Sequence, residues 1–184
     1  SRLAEALGML REAGYAWQAE PVIAEDGSIT PGTGLTVAGQ PPAPLTILTP
    51  GDAYDPSRPV YVTEIAATLA VLGFDARPVI TDFDTVVDLA FTATDEGVRQ
   101  YDMYLLGWTL GNPALPDYYR PLFHSQGEMN NTGYASAEFD ERLNAYQSAR
   151  TLAEARLHLW GMEAVLARDL PYLVLYRDRK STRL

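Results

Sequence analysis

Apolar and polar positions follow two periods along this chain, and the switches between them mark out its elements. Leu3, Ala6, Leu7 and Leu10 recur at helical spacing and predict a helix over residues 2 to 13, closed by Gly14, which suits a left-handed C-terminal cap. From Tyr15 to Pro44 the pattern is broken repeatedly by Gly and Pro, with short β-prone stretches between, and reads as an excursion containing a hairpin. Leu45 to Thr49 is a β-branched apolar run stopped by Pro50 and Gly51, the signature of a buried strand. Pro59 suits the first turn of a helix, and Val60, Ile65, Leu69 and Leu72 continue it to Gly73.

The alternation continues. Phe74 to Ile80 predicts a second strand, Asp82 to about Thr92 a second helix, and Met103 to Leu106 a third strand that is apolar on both faces. Such a strand belongs in a sheet covered on both sides. Two further helices are predicted over residues 138 to 149 and 152 to 168. The later one opens on Thr151-Leu152-Ala153-Glu154, a capping-box pattern. It ends before Pro171, after which Tyr172 to Tyr176 reads as an apolar strand. Alternating strands and helices of these lengths predict an α/β layered domain with a largely parallel sheet and helices on both faces. Ligands of such sheets collect off the C-terminal ends of the strands.

Composition fits one folded body. The chain has 184 residues, 47% of them hydrophobic and 21% charged, so it can bury a sizeable core and lies outside the low-hydrophobicity, high-charge range of disordered chains. Ser1 runs directly into a helical pattern, which reads as a piece of something longer. Residues 1 to 178 are taken as the folded body and 179 to 184 as a polar tail. The formal net charge is -10, a field that repels phosphate backbones and anionic headgroups, so nucleic acid is not an expected partner. Cysteine is absent, which removes disulfides and thiolate chemistry but leaves the compartment open.

Few constellations carry chemistry. The sequence has no spaced acids of a calcium loop, no Gly-rich phosphate loop and no HExxH zinc helix, and neither a cofactor nor a metal is expected. His124 beside Ser125 is the one foothold for a hydrolase, an alternative that needs the imidazole within reach of the hydroxyl. Asp82 with Asp84, and Glu138 with Asp140, read as charges at helix N-termini. The segment Gly107-Trp108-Thr109-Leu110-Gly111-Asn112-Pro113 differs from these. It leaves an apolar strand, carries an indole and breaks into a Gly/Pro loop where open α/β sheets gather ligands.

At this point an ordered set of residues resembles extracellular solute-binding protein family 5, the oligopeptide-, dipeptide- and nickel-binding proteins of ABC importers. The set comprises Glu12-Ala13-Gly14-Tyr15, Leu45 to Thr49, Ala66 to Phe74 and Tyr101-Asp102 through Gly107-Trp108. Gly133-Tyr134, Phe139-Asp140, Arg156 and Asp169-Leu170-Pro171 to Leu175-Tyr176 complete it, so the resemblance spans residues 2 to 178. It implies the C-terminal lobe of a type II periplasmic-binding-protein-like fold and a noncatalytic protein outside the cytoplasmic membrane, lipid-anchored or secreted. Its implied partners are a small-molecule or peptide solute, the N-terminal lobe of the same chain and an ABC permease. The implied ligand-binding residues are Trp108, Thr109, Leu110, Gly111, Asn112 and Asp117.

One departure matters. Peptide-binding members of that family carry an acid shortly after the Gly-Trp, where it pairs with the peptide's amino group. Here Gly111 and Asn112 stand at those positions and the next acid is Asp117. Loss of a carboxylate from a buried ammonium costs several kcal/mol of selective affinity. A peptide, a sugar or another small solute therefore all stay open. So does a ligand-free adaptor role on the same fold.

Overall fold

The structure is a computed structural model and describes residues 2–91, 100–108 and 118–175. Two compact units divide the chain, one ending at Gly107 and the next beginning at Trp108.

The first unit opens with α1 (Arg2–Glu12), whose buried residue is Leu7. Gly14 follows at φ +87°, in the left-handed conformation that ends a helix with little steric cost. The excursion holds two antiparallel pairs where one hairpin is expected: β1 (Tyr15–Ala16) with β4 (Thr36–Val37), and inside them β2 (Val22–Ile23) with β3 (Ile29–Thr30). The inner turn is fixed by Asp26, whose carboxylate accepts from the Ser28 amide at 2.9 Å and its hydroxyl at 2.7 Å. Trp17 ties the excursion to the body by donating from Nε1 to the carbonyl of Leu72 at 2.6 Å.

The centre of this unit is a three-stranded parallel sheet in the order β6–β5–β7. β5 (Leu45–Pro50) matches the expected strand, and β6 (Ala76–Thr81) begins two residues later than the sequence pattern suggests. β7 (Met103–Tyr104) is shorter than the expected Met103–Leu106, although the Leu105 amide still donates to Leu48 O at 2.8 Å. Successive residues of β5 point to opposite faces, and each face has its own helix. Ile47 packs with Val62 and Ala66 of α2 (Ser57–Val71), while Leu48 packs with Val86 and Ala90 of α3 (Phe83–Phe91). The expected α/β layering with helices on both faces is present. Tyr101 closes the Leu48 face and donates its hydroxyl to the Ala90 carbonyl at 3.1 Å.

The second unit is helical over its described residues. α4 (Tyr119–Phe123), α5 (Ala137–Ser148) and α6 (Leu152–Asp169) enclose Phe139, Leu143, Met162 and Val165, with Tyr119, Phe123 and Tyr134 around them. Ser136 caps α5 and Thr151 caps α6 through the expected capping box. Gly161 lets Arg142 cross α6, since a Cβ there would lie 3.0 Å from the Arg142 Cδ.

One expected strand is absent. Residues 172 to 175 form no ladder, and Leu173, Val174 and Leu175 are exposed. Their apolar pattern is strand-like, but a strand exists only as a pair and no described strand runs beside them. Tyr176 and the tail from 179 lie outside the described residues. No described helix is long and apolar enough to cross a membrane.

Candidate functional site

Parallel strands deliver their C-terminal ends to one edge of a sheet, and here three segments reach that edge. β5 ends at Pro50 and turns at Gly51, β6 ends at Thr81, and β7 runs out through Leu105 and Leu106 to Gly107. The Gly51 amide donates to Thr81 O at 2.8 Å and keeps two of these ends together. Two polar side chains of the first unit are buried among the described residues, Thr49 and Arg58, and both belong to this region.

Arg58 is the unexpected member. It occupies the first turn of α2, where no acidic residue accompanies it and where the helix dipole disfavours a cation. The surroundings compensate. Its Nε donates to Asp55 Oδ2 at 3.2 Å, and the other oxygen of Asp55 accepts from the Ser57 amide at 2.9 Å. The guanidinium carbon lies 4.8 Å from the centroid of Tyr54, whose ring is stacked on Phe83 at 4.2 Å, a favourable cation–π arrangement. The turn after β5, the start of α2 and the start of α3 therefore converge on one cation.

Gly107 completes the setting. A Cβ at this position would lie 2.6 Å from Arg58 Nη2, so glycine is what lets the guanidinium lie against the chain leaving β7. Arg58 Nη1 is buried and has no hydrogen-bond partner among the described residues. A buried, unsatisfied donor on a cation is costly unless a partner comes to it. On the β6 side, Asp82 accepts from the Thr85 amide at 2.9 Å and its hydroxyl at 2.7 Å. Those bonds, the hydroxyl first, hold its carboxyl below the ordinary aspartate range. Asp82 is thus committed to capping α3, as the sequence pattern suggests.

Of the residues expected to bind ligand, Trp108 is described: it is half-buried and directly follows the strand-end Gly107. Thr109, Leu110, Gly111, Asn112 and Asp117 lie outside the described residues. Sequence reasoning passed over Arg58, Tyr54 and Asp55. The signal that could have found them is the basic residue in the first turn of a helix, two residues past a strand-helix Pro and unaccompanied by acid.

The hydrolase alternative is met by different geometry in the second unit. The Ser125 hydroxyl donates to Asp140 Oδ2 at 2.5 Å and the Ser125 amide to Oδ1 at 3.1 Å. His124 is buried, and its Nδ1 accepts from the Gln126 amide at 3.0 Å. The hydroxyl proton is thereby directed to a carboxylate rather than to His124, whose Nδ1 accepts from a backbone amide and whose Nε2 lies 3.9 Å from Asp140 Oδ1. Both residues tether the loop after α4 to α5. Among the described residues no group of His, Cys, Asp and Glu is placed to hold a metal ion.

The fold and this edge define a periplasmic-binding-protein-like lobe, and solved structures agree. Over 92% of its length the chain superposes on the oligopeptide-binding protein AppA of Bacillus subtilis, solved with a nonapeptide, with a TM-score of 0.69 and 21% identity. It covers 91% of its length on NikZ of Campylobacter jejuni in complex with Ni(L-His), at TM-score 0.62 and 18% identity. It covers 92% on a nickel ABC transporter structure from Bacillus halodurans, at TM-score 0.63 and 15% identity. The chain spans about 30% of the length of these structures, 30%, 30% and 31% respectively. No sequence-family model and no curated protein matches it. The neighbours are peptide- and nickel-binding proteins, the class that the sequence resembles, and the fold is the part of that resemblance they establish.

Proposed function

We propose that this chain is a lobe of the solute-binding component of an ABC importer, which captures a small solute outside the cytoplasmic membrane and delivers it to the permease. The observation that carries the reading is the C-terminal edge of the parallel sheet, where β7 runs out into Gly107 and Trp108, in a fold shared with oligopeptide- and nickel-binding proteins. Trp108 offers a flat apolar face. Thr109, Leu110, Gly111, Asn112 and Asp117 follow it as the loop that hydrogen-bonds the solute.

A second lobe closing about a hinge supplies the rest of the enclosure, since a cleft protein buries its ligand by closing over it. The chain does no covalent chemistry in this reading. Binding energy comes from stacking and hydrogen bonds released when the lobes part.

The test starts with the protein purified without denaturation and examined by native mass spectrometry for retained solute. That solute is then titrated by calorimetry into the wild-type protein and Trp108→Ala. A weakening of about tenfold or more is expected from loss of an aromatic platform. An unchanged affinity would remove Trp108 from the site.

A further inference from the structure

Helix α6 carries two apolar stripes, and the core takes up one of them. Met162 and Val165 are buried with Phe139 and Leu143 of α5, and Leu159 and Leu166 pack beside them. On the outer side Ala153, Leu157, Trp160, Ala164 and Ala167 are all exposed, Leu157 at 63% and Trp160 at 64%. Their spacing of four, three, four and three residues is the heptad seam of a helix that packs on another helix. We propose that this stripe is a self-association surface, on which α6 packs antiparallel against α6 of a second copy of this chain. The inference is independent of the solute-binding reading.

The side chains suit a helix partner. An exposed indole is the kind of anchor found at interface centres, and the alanines around it let a second helix approach closely. Charge then selects a second copy as that partner. Arg156 and Glu163 flank the seam on the same side, one heptad apart, both exposed and neither in an ion pair among the described residues. A two-fold axis near Trp160 runs one helix against the other, sets Leu157 beside Ala164 of the second copy, and brings Arg156 opposite Glu163 of the second copy, twice over. In a parallel pair Arg156 would face Gly161 instead, and its charge would go unanswered. The opposite flank adds no repulsion, because Arg142, which lies against Gly161, and Arg168 are already paired with Glu138 and Asp169. A seam this short makes a small interface, so the dimer is a weak one.

Sedimentation velocity of the 184-residue chain between about 1 µM and about 1 mM is expected to show a reversible monomer–dimer equilibrium. Trp160→Ala should weaken the dimer about tenfold or more. Arg156→Glu and Glu163→Arg should each weaken it about fivefold or more by setting like charges opposite, and the two together should restore the wild-type constant.

A chain that stays monomeric throughout overturns the proposal and leaves the stripe to a different occupant. A dimer indifferent to Trp160→Ala overturns it in favour of another face, such as the exposed Leu173 to Leu175. Single charge reversals that weaken the dimer with no rescue by the pair overturn the antiparallel arrangement. Circular dichroism of each variant separates loss of association from loss of helix. Should Trp160→Ala fail to fold, the charge-reversal pair still decides.

Discussion

Two glycines show how differently one residue type behaves in this chain. Gly127 sits in the turn after α4, where an added Cβ would lie 2.5 Å from the Arg120 carbonyl oxygen and closer still to that of Pro121. Neither neighbour is a flexible side-chain end, so Gly127→Ala must shift backbone, an overpacking cost of about 1–3 kcal/mol. Urea unfolding of the variant is expected to show that loss as a lower midpoint. Gly8 has nothing within 4 Å of its Cβ position and lies inside α1. Gly8→Ala should stabilise the protein by about 0.5–1 kcal/mol, because only the backbone entropy of the unfolded chain changes. A loss of stability at Gly8 would mean that α1 depends on a contact not visible around it. The sequence alone does not separate the two glycines. What distinguishes them is which carbonyls fold back on each.

Elements were more legible than residues where the local signal and the tertiary partner agree. The capping box at Thr151 is readable from four residues and is formed, with the Glu154 amide donating to the Thr151 hydroxyl at 3.2 Å and Glu154 reaching back to the Thr151 amide at 3.2 Å. Thr151→Ala should cost about 1 kcal/mol in thermal unfolding, and Thr151→Ser should restore most of it. The segment from Tyr172 has an equally good local pattern, yet no strand forms there, because pairing depends on a neighbour that local pattern does not encode. The excursion gave the reverse error, since its outer pair, Tyr15–Ala16 with Thr36–Val37, joins segments too far apart for a local pattern to pair, and Trp17 ties it to the body through Leu72. Acid stability belongs to this scale too. Arg142 and Arg168 hold the Glu138 carboxyl below its ordinary 4.5, and Arg168 with Tyr134 holds Asp169 below 3.8. Depressed values in the folded state mean that this stabilisation is full above the ordinary values and is lost as pH falls through the lower, folded ones. Unfolding temperature should therefore begin to fall below about pH 4.5. Glu138→Gln should shallow that fall, and an unchanged acid limb would show that the exposed network contributes nothing measurable.

For the molecule as a whole, the class of fold was visible in the order of strands, helices and the Gly-Trp strand end, whereas Arg58 was hidden because its meaning depends on Gly107 and Tyr54 arriving from distant parts of the chain. Net charge then sets a test that no single residue could. A chain of charge -10 repels an anionic solute at long range. Salt shortens the reach of the repulsion from about 30 Å at 0.01 M to about 8 Å at 0.15 M, while a buried contact is screened much less. The association rate of an anionic solute should thus rise as salt is added over this range, and that of a neutral one should stay level. Stopped-flow tryptophan fluorescence at several salt concentrations makes the comparison. A rate for the anion that falls with salt would mean that the field at the sheet edge is locally positive despite the net charge.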